Sequence, residues 1–468
     1  MTGAPGHPAR TALASILREV GWRADARKLE IVDGPAAVAS PLPIADISTG
    51  AYGALALAAA EYGAMRGLPL TPRVNRRLAG LANAGNEYLT IDNVPPKTWG
   101  NITGYYRCKD GGSVYCHGIF PHLRDGLLEL FGAEDARASM AARLAQWTAD
   151  EAESAGQGRG LCVMKLRTRA EWEAHPQRAA LAEMPLIRTA PLAAKAAPQP
   201  PSQGAETPLS GVRVLDFTRV IAGPMAGRAL AELGADVMRI SGPGLPFIEP
   251  LLVDTGFGKR NAEVDLGTET GREALRALIA DADVLIDGYR PGALAAKGFG
   301  GEDLASLNPG LIHVRISAFS DVGPWAGRRG YDSYVQSGVG LTAPEDPADA
   351  PVRLPCQPLD YLTGCLSAFG AVLGLIRRAK TGCGQVAEMS LARTAMWIWE
   401  MADELGPERS PPLRNPTIAE AADEGFIRRM KTGFGDAGSL APPYGFAEME
   451  ATWASAPTRL GAHPPVWD

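Results

Sequence analysis

The feature that most restricts this chain is a series of short apolar segments between residues 212 and 317, each separated from the next by a helical pattern. Val212-Arg-Val-Leu-Asp216, Ala235-Asp-Val-Met-Arg-Ile240, Val284-Leu-Ile-Asp287 and Ile312-His-Val-Arg-Ile-Ser317 have the Val, Ile and Leu content of buried strands. Gly223 to Leu233 and Gly271 to Ala282 read as helices between them. Strands that alternate with helices cannot close as hairpins, so the pattern predicts an α/β fold with a parallel, Rossmann-like sheet. Ligands of such sheets gather at the carboxyl ends of the strands. Those ends are Asp216-Phe-Thr-Arg219-Val220, Ser241-Gly-Pro-Gly, Asp287-Gly-Tyr289-Arg290-Pro-Gly292 and Ser317-Ala-Phe319-Ser. No Gly-x-Gly-x-x-Gly follows the first strand, so a nicotinamide or flavin site lacks its fingerprint.

A chain of 468 residues is too long for one ordinary core. The reading divides it into an N-terminal segment (1–98), a small α+β domain (99–190), an Ala/Pro-rich linker (191–207), the α/β core (208–395) and a tail packing on that core (396–468). In the small domain, Tyr105 to His117 has a hairpin pattern around Asp110-Gly111. Helices are expected at His122 to Phe131 and Glu134 to Thr148, a strand at Leu161 to Leu166, and a capped helix start at Thr168 to Glu171. A net charge of −6 argues against nucleic acid as a partner. Six cysteines without a Cys-x-x-Cys pair, and no secretory pattern in Met1 to Arg10, suggest a reduced cytoplasmic protein. His117, His122 and His175 are too scattered for a metal site, and none is expected. The uncharged run Tyr361 to Ile376 falls short of the roughly twenty residues that span a bilayer, so it reads as a core helix and no membrane partner is expected.

That helix follows Asp360, a lone carboxylate after a Pro- and Asp-rich loop. An Asp in this position is either a helix cap or a reactive group. Asp46-Ile-Ser-Thr-Gly50 matches Asp360-Tyr-Leu-Thr-Gly364, and each begins an Ala- and Gly-rich helix that ends in arginine, which suggests an internal repeat. Basic residues collect at the predicted strand ends and loops: Arg219, Lys259, Arg260, Arg290, Lys297, Arg328 and Arg329. In an acidic protein they suit a ligand with several phosphates.

The segment Pro208-Leu-Ser-Gly-Val-Arg-Val-Leu-Asp-Phe-Thr-Arg-Val-Ile-Ala-Gly-Pro224 resembles the opening of the family III CoA-transferases. The likeness continues in order through Gly258-Lys-Arg-Asn-Ala-Glu-Val-Asp-Leu266, Ala282 to Gly292, Leu307-Asn-Pro309, Gly330-Tyr-Asp332, Asp360 and Lys380 to Gln385, so it covers about Pro208 to Ala395. The resemblance implies a CoA-transferase fold with coenzyme A as cosubstrate, acyl-CoA and carboxylic acid partners, and an interlocked homodimer. It implies that Asp360 is the nucleophile, forming an aspartyl anhydride and then a thioester. It further implies CoA contacts at Val220, Lys259, Tyr289 and Arg329, with Tyr331 and Asp332 lining the acyl site. Racemases of this fold have His where Tyr331 stands, and a phenol with pKa near 10 is a poor base at neutral pH. The alternatives are such a racemase and a non-catalytic CoA-binding scaffold.

Departures from the family pattern are Ser241-Gly-Pro-Gly after the second strand, Gly288 in place of a common Asn, and no glycine-rich loop over the acyl site. The order of parts also differs, because Trp99 to Leu186 resembles the family's small domain yet precedes the core. Asp46 has no Gly-Tyr-Asp block before it, which marks it as a relic rather than a second site.

Overall fold

Six parallel strands lie side by side in the order Lys259–Glu263, Asp236–Ser241, Arg213–Phe217, Val284–Asp287, Ile312–Ser317 and Gln385–Ser390. They belong to a computed structural model that describes residues 6–192, 198, 200–342 and 353–467. Part of the 191–207 linker and part of the loop before Asp360 therefore lie outside the described residues. Taken in chain order the strands are arranged 3-2-1-4-5-6, the doubly wound order. The four expected strands and the two helices between them fall close to their predicted bounds. Lys259–Glu263 and Gln385–Ser390 are additions. Their polar composition hides them, and pairing with an apolar neighbour decides their conformation. Arg188–Pro191, from ahead of the core, pairs antiparallel with Gln385–Ser390 and closes that edge.

Behind the sheet stand two long helices that pack on one another, Ile44–Met65 and Pro358–Thr381. Pro358 opens the second where a missing N–H costs nothing, and Gly382 ends it in the left-handed region at φ 77°. At 24 residues it is longer than the expected Tyr361 to Ile376, since Arg377 to Thr381 continue the turn. Its length and hydropathy would allow it to cross a membrane, but its apolar stretch is fully enclosed by protein. Leu362, Leu366, Phe369 and Val372 are among its inaccessible side chains, each contributing ~2 kcal/mol by removal from water. Its close approach to the Ala222–Glu232 helix depends on Gly364, where a Cβ would meet the Ala222 carbonyl at 2.5 Å.

The α+β region has the predicted hairpin, Gly104–Arg107 with Ser113–Cys116, extended by Val163–Lys165. The helix expected over Glu134 to Thr148 is shorter, and a separate helix follows it. Arg137–Leu144 ends early, and Thr148 forms a capping box with Glu151 to start Ala149–Gly158. Thr168 and Glu171 form a second box. The tail pairs with the N-terminal segment as well as touching the core: Gly435–Leu440 adds to Thr90–Ile91, and Tyr444–Phe446 to Pro72–Asn75. One apolar interior runs from Ala12 through Val114 and Leu366 to Ala451, so the N-terminal segment, the α+β region, the core and the tail share it.

Candidate active site

The strand order reverses between Arg213–Phe217 and Val284–Asp287, and a cleft of about 360 Å³ opens at their carboxyl ends. Thr218, Arg219 and Val220 line it from the first strand, and Gly288, Tyr289 and Arg290 from the second. Val220 holds φ 74°, a region that a β-branched side chain enters only under constraint, at a cost of ~1–3 kcal/mol. This turn carries the chain from the sheet into the Ala222–Glu232 helix, whose first residues, Ala222 and Gly223, also face the cleft.

Asp360 sits in the first turn of the Pro358–Thr381 helix and faces the cleft with 5% of its surface accessible. It does not cap its helix. That work falls to Asp332, whose Oδ2 accepts the Asp360 N–H at 2.8 Å and whose carboxyl also accepts the Leu359 N–H. The Gln336 amide donates to Asp332 Oδ1. Among the described residues, no donor reaches the Asp360 carboxyl itself. Burial, and then the Asp332 carboxyl, push Asp360 far above the usual carboxylate range. Burial also raises Asp332, to about 7, against the opposing pull of its hydrogen bonds. The expectation that Asp332 lines the acyl site is corrected: it is buried behind Asp360 and holds that residue's backbone.

Tyr331 does line the cleft. Its ring stacks on His117, with centroids 4.0 Å apart, and tilts against Phe120 at 6.1 Å. Burial raises its phenol, which leaves it still less fit to be a base than an exposed tyrosine. Phe120 and His122, also in the lining, come from the α+β region; the sequence reading passed over Phe120 and weighed His122 only as a metal ligand. The only signal was the short Phe-Pro-His that opens a helix at Pro121. His122 Nε2 lies 3.1 Å from Arg329 Nη1. Partial burial, together with Arg329, Arg219 and Arg290, lowers the His122 pKa.

Of the seven basic candidates, Arg219, Arg290, Arg328 and Arg329 reach the cleft. Arg219 stands over the Tyr289 ring at 5.5 Å. Arg328 is already engaged, 3.3 Å from Glu153 and over the Trp325 ring. Lys259 corrects a second expectation. It opens its strand at the amino end, and its Nζ runs beneath the Ala222–Glu232 helix to Asp216 Oδ2 at 2.7 Å and the Pro224 carbonyl at 2.6 Å. Gly227 leaves room for that pair, since a Cβ there would meet Asp216 Oδ2 at 2.7 Å and Lys259 Nζ at 2.9 Å. Burial lowers the Lys259 pKa to about 8. Arg260 pairs with Asp236, and Lys297 is exposed away from the cleft.

A cleft at the reversal point, edged with arginines and holding an unpaired carboxyl, suits a thioester carried on a phosphorylated ligand. Residues 209–417 match the model of CoA-transferase family III. That stretch of the chain is similar to members of this family. A probable fatty acyl-CoA transferase of Mycobacterium tuberculosis is 34% identical over 42% of this chain and 54% of its own length. The succinate–glutarate CoA-transferase of Agrobacterium fabrum is 36% identical over 39% of this chain and 51% of its own, and a formyl-CoA:oxalate CoA-transferase of Escherichia coli 32% over 47% and 58%. The chain thus spans about half the length of the curated relatives it matches. Among solved structures, a CAIB/BAIF family protein from Brucella suis is 30% identical over 49% of this chain and 65% of that one, with a TM-score of 0.38.

Outside the matched stretch, Asp46 occupies the first turn of Ile44–Met65 as Asp360 does in its own helix. Its carboxylate is held on both oxygens by Arg76, at 2.8 and 2.9 Å. Glu408 lies 3.1 Å from the same guanidinium, and His7 Nδ1 3.9 Å from Asp46 Oδ1. Partners therefore engage Asp46 from several sides.

Proposed function

We propose that the protein moves coenzyme A between an acyl-CoA and a carboxylic acid, with Asp360 as the covalent nucleophile. The observation that carries this reading is the Asp360 carboxyl, buried, without a donor among the described residues, and facing the cleft. A carboxylate is a weak nucleophile in water and a stronger one when stripped of solvent beside its target. Relatives named as acyl-CoA, succinate–glutarate and formyl-CoA:oxalate CoA-transferases support the reaction class.

The steps balance without a proton or a redox partner. The Asp360 carboxylate attacks the thioester carbonyl, the C–S bond breaks, and a mixed anhydride and CoA thiolate form. The thiolate attacks the Asp360 carbonyl of the anhydride, releases the first carboxylate and leaves an aspartyl thioester. The acceptor carboxylate attacks that thioester and expels the thiolate, giving a second anhydride. Attack of the thiolate on the acceptor's carbonyl makes the new acyl-CoA and restores Asp360. Arg219, Arg290 and Arg329 hold the phosphates at the mouth, and the first turn of the Pro358–Thr381 helix faces the charge that develops at Asp360. Tyr331, with its raised phenol, is poorly suited to the proton abstraction that a racemase needs.

Incubation with an acyl-CoA followed by hydroxylamine should convert Asp360 to a hydroxamate, found by peptide mapping. Asp360→Ala should abolish both labelling and exchange. Full exchange by Asp360→Ala would overturn the mechanism.

A further inference from the structure

Building on the transfer reaction proposed above, we infer that the acyl group handled at Asp360 is uncharged and apolar, that of a monocarboxylic acid rather than of a dicarboxylic one. The reasoning rests on how charge is divided along the cleft. Arg219, Arg290 and Arg329 stand with His122 at one end, Arg219 over the Tyr289 ring and Arg329 against the imidazole. The surroundings of Asp360 are different. Leu391 lines the cleft with Asp360, and one turn further on in each helix Thr363 and Thr394 join their Oγ1 atoms at 2.7 Å. Tyr361 packs on Ile221, and the helix turn at Gly364 rests on Ala222. Tyr331 precedes the residue that holds the Asp360 amide. Leu391, Ile221 and Ala222, which line the cleft with Asp360, carry no formal charge.

A second carboxylate on the acyl chain would need a cation here, and the neighbouring cations are committed elsewhere. Arg328 pairs with Glu153, Lys259 with Asp216, and Arg353, beyond Asp332, with Glu87 at 2.7 Å and the Trp99 ring. Residues 343–352, outside the described residues, contain no Lys, Arg or His in the sequence. Asp332 and Asp360 are acidic and, when ionised, would repel an added anion. Arg219, Arg290 and Arg329 act on the Tyr331 phenol, whereas burial and Asp332 are what act on Asp360. An unpaired charge carried into such surroundings is strongly disfavoured, while an alkyl or aryl chain gains from them.

The test compares butyryl-CoA with succinyl-CoA, which share the CoA moiety and differ by a terminal carboxylate. Under single-turnover conditions with the full chain, butyryl-CoA should label Asp360 at least ~100-fold faster at equal concentration. Labelling by succinyl-CoA at an equal or higher rate would overturn the acyl-class inference and leave the nucleophile reading standing. Labelling by neither would overturn the nucleophile reading, and calorimetric titration of Asp360→Asn then decides the acyl class. Tighter binding of butyryl-CoA supports the inference, and equal or tighter binding of succinyl-CoA refutes it.

Discussion

Asp332→Asn separates the support that Asp332 gives Asp360 from the charge it places beside it. Asp332 Oδ2 lies 2.8 Å from the Asp360 N–H, and the Asp360 carboxyl begins three bonds beyond that nitrogen. At an effective dielectric of ~20, two carboxylates a few ångströms apart repel by roughly 3 kcal/mol. Burial is the larger cause of the raised Asp360 carboxyl, and Asp332 adds to it. Asparagine keeps an oxygen for the backbone N–H and is itself a good cap, so the substitution removes the charge together with the hydrogen bond from Gln336. The acid limb of kcat/KM for CoA exchange should therefore move down by about one to two pH units. Stability gives an independent check. The folded-state pKa of Asp332, about 7, lies above the unfolded value, so the folded protein binds more protons between the two. The stabilisation linked to this group is fully present below ~pH 4 and lost as the pH rises through about 7. That difference amounts to ~4 kcal/mol, and asparagine abolishes it. In urea unfolding, Asp332→Asn should thus gain on the wild type between pH 4 and pH 8. An unmoved acid limb together with a pH-independent stability difference would refute the coupling.

Asp46→Asn breaks a buried pair but leaves Arg76 with Glu408, so it should cost ~2 kcal/mol in urea unfolding with exchange per folded molecule unchanged. Lys259→Ala strands the buried Asp216 carboxylate and should cost ~3–5 kcal/mol. The affinity of its folded form for CoA, measured by calorimetry, should stay close to wild type. Arg329→Ala removes a charged donor from the cleft and should raise KM for acyl-CoA about tenfold with kcat preserved. Added salt should narrow that difference.

The sheet was legible because strand and helix periods differ, and its apolar strands at Val284–Asp287 and Ile312–Ser317 fall where the pattern places them. Lys259–Glu263 was not legible, because its residues are polar and only pairing with Asp236–Ser241 makes it a strand. The same limit applies to the site. Arg219, Val220, Tyr289, Tyr331 and Asp360 could be named from strand ends and motif order, and they share one cleft. A motif fixes where a residue stands along the chain but not which way its side chain turns, and so Lys259 was misplaced. Phe120 and His122 reach the cleft from a region whose docking on the core leaves no local pattern.

The two aspartates show how little of a carboxyl's surroundings is local. Both occupy the first turn of long, Ala- and Gly-rich helices, and both precede a Thr-Gly pair by three residues. Helix position gives each the same partial positive field. They part because of what other elements bring to them. Arg76, thirty residues along the chain from Asp46, holds both of its oxygens. Asp360 instead meets Asp332, which takes over the backbone N–H that a capping aspartate would have used and leaves the Asp360 carboxyl unspent. Moving the cap to a second carboxylate also adds like charge, which opposes ionisation of Asp360 and makes its anion the more reactive once formed. A cationic neighbour in that place would have made a stable ion pair, as at Asp46, and an unreactive one.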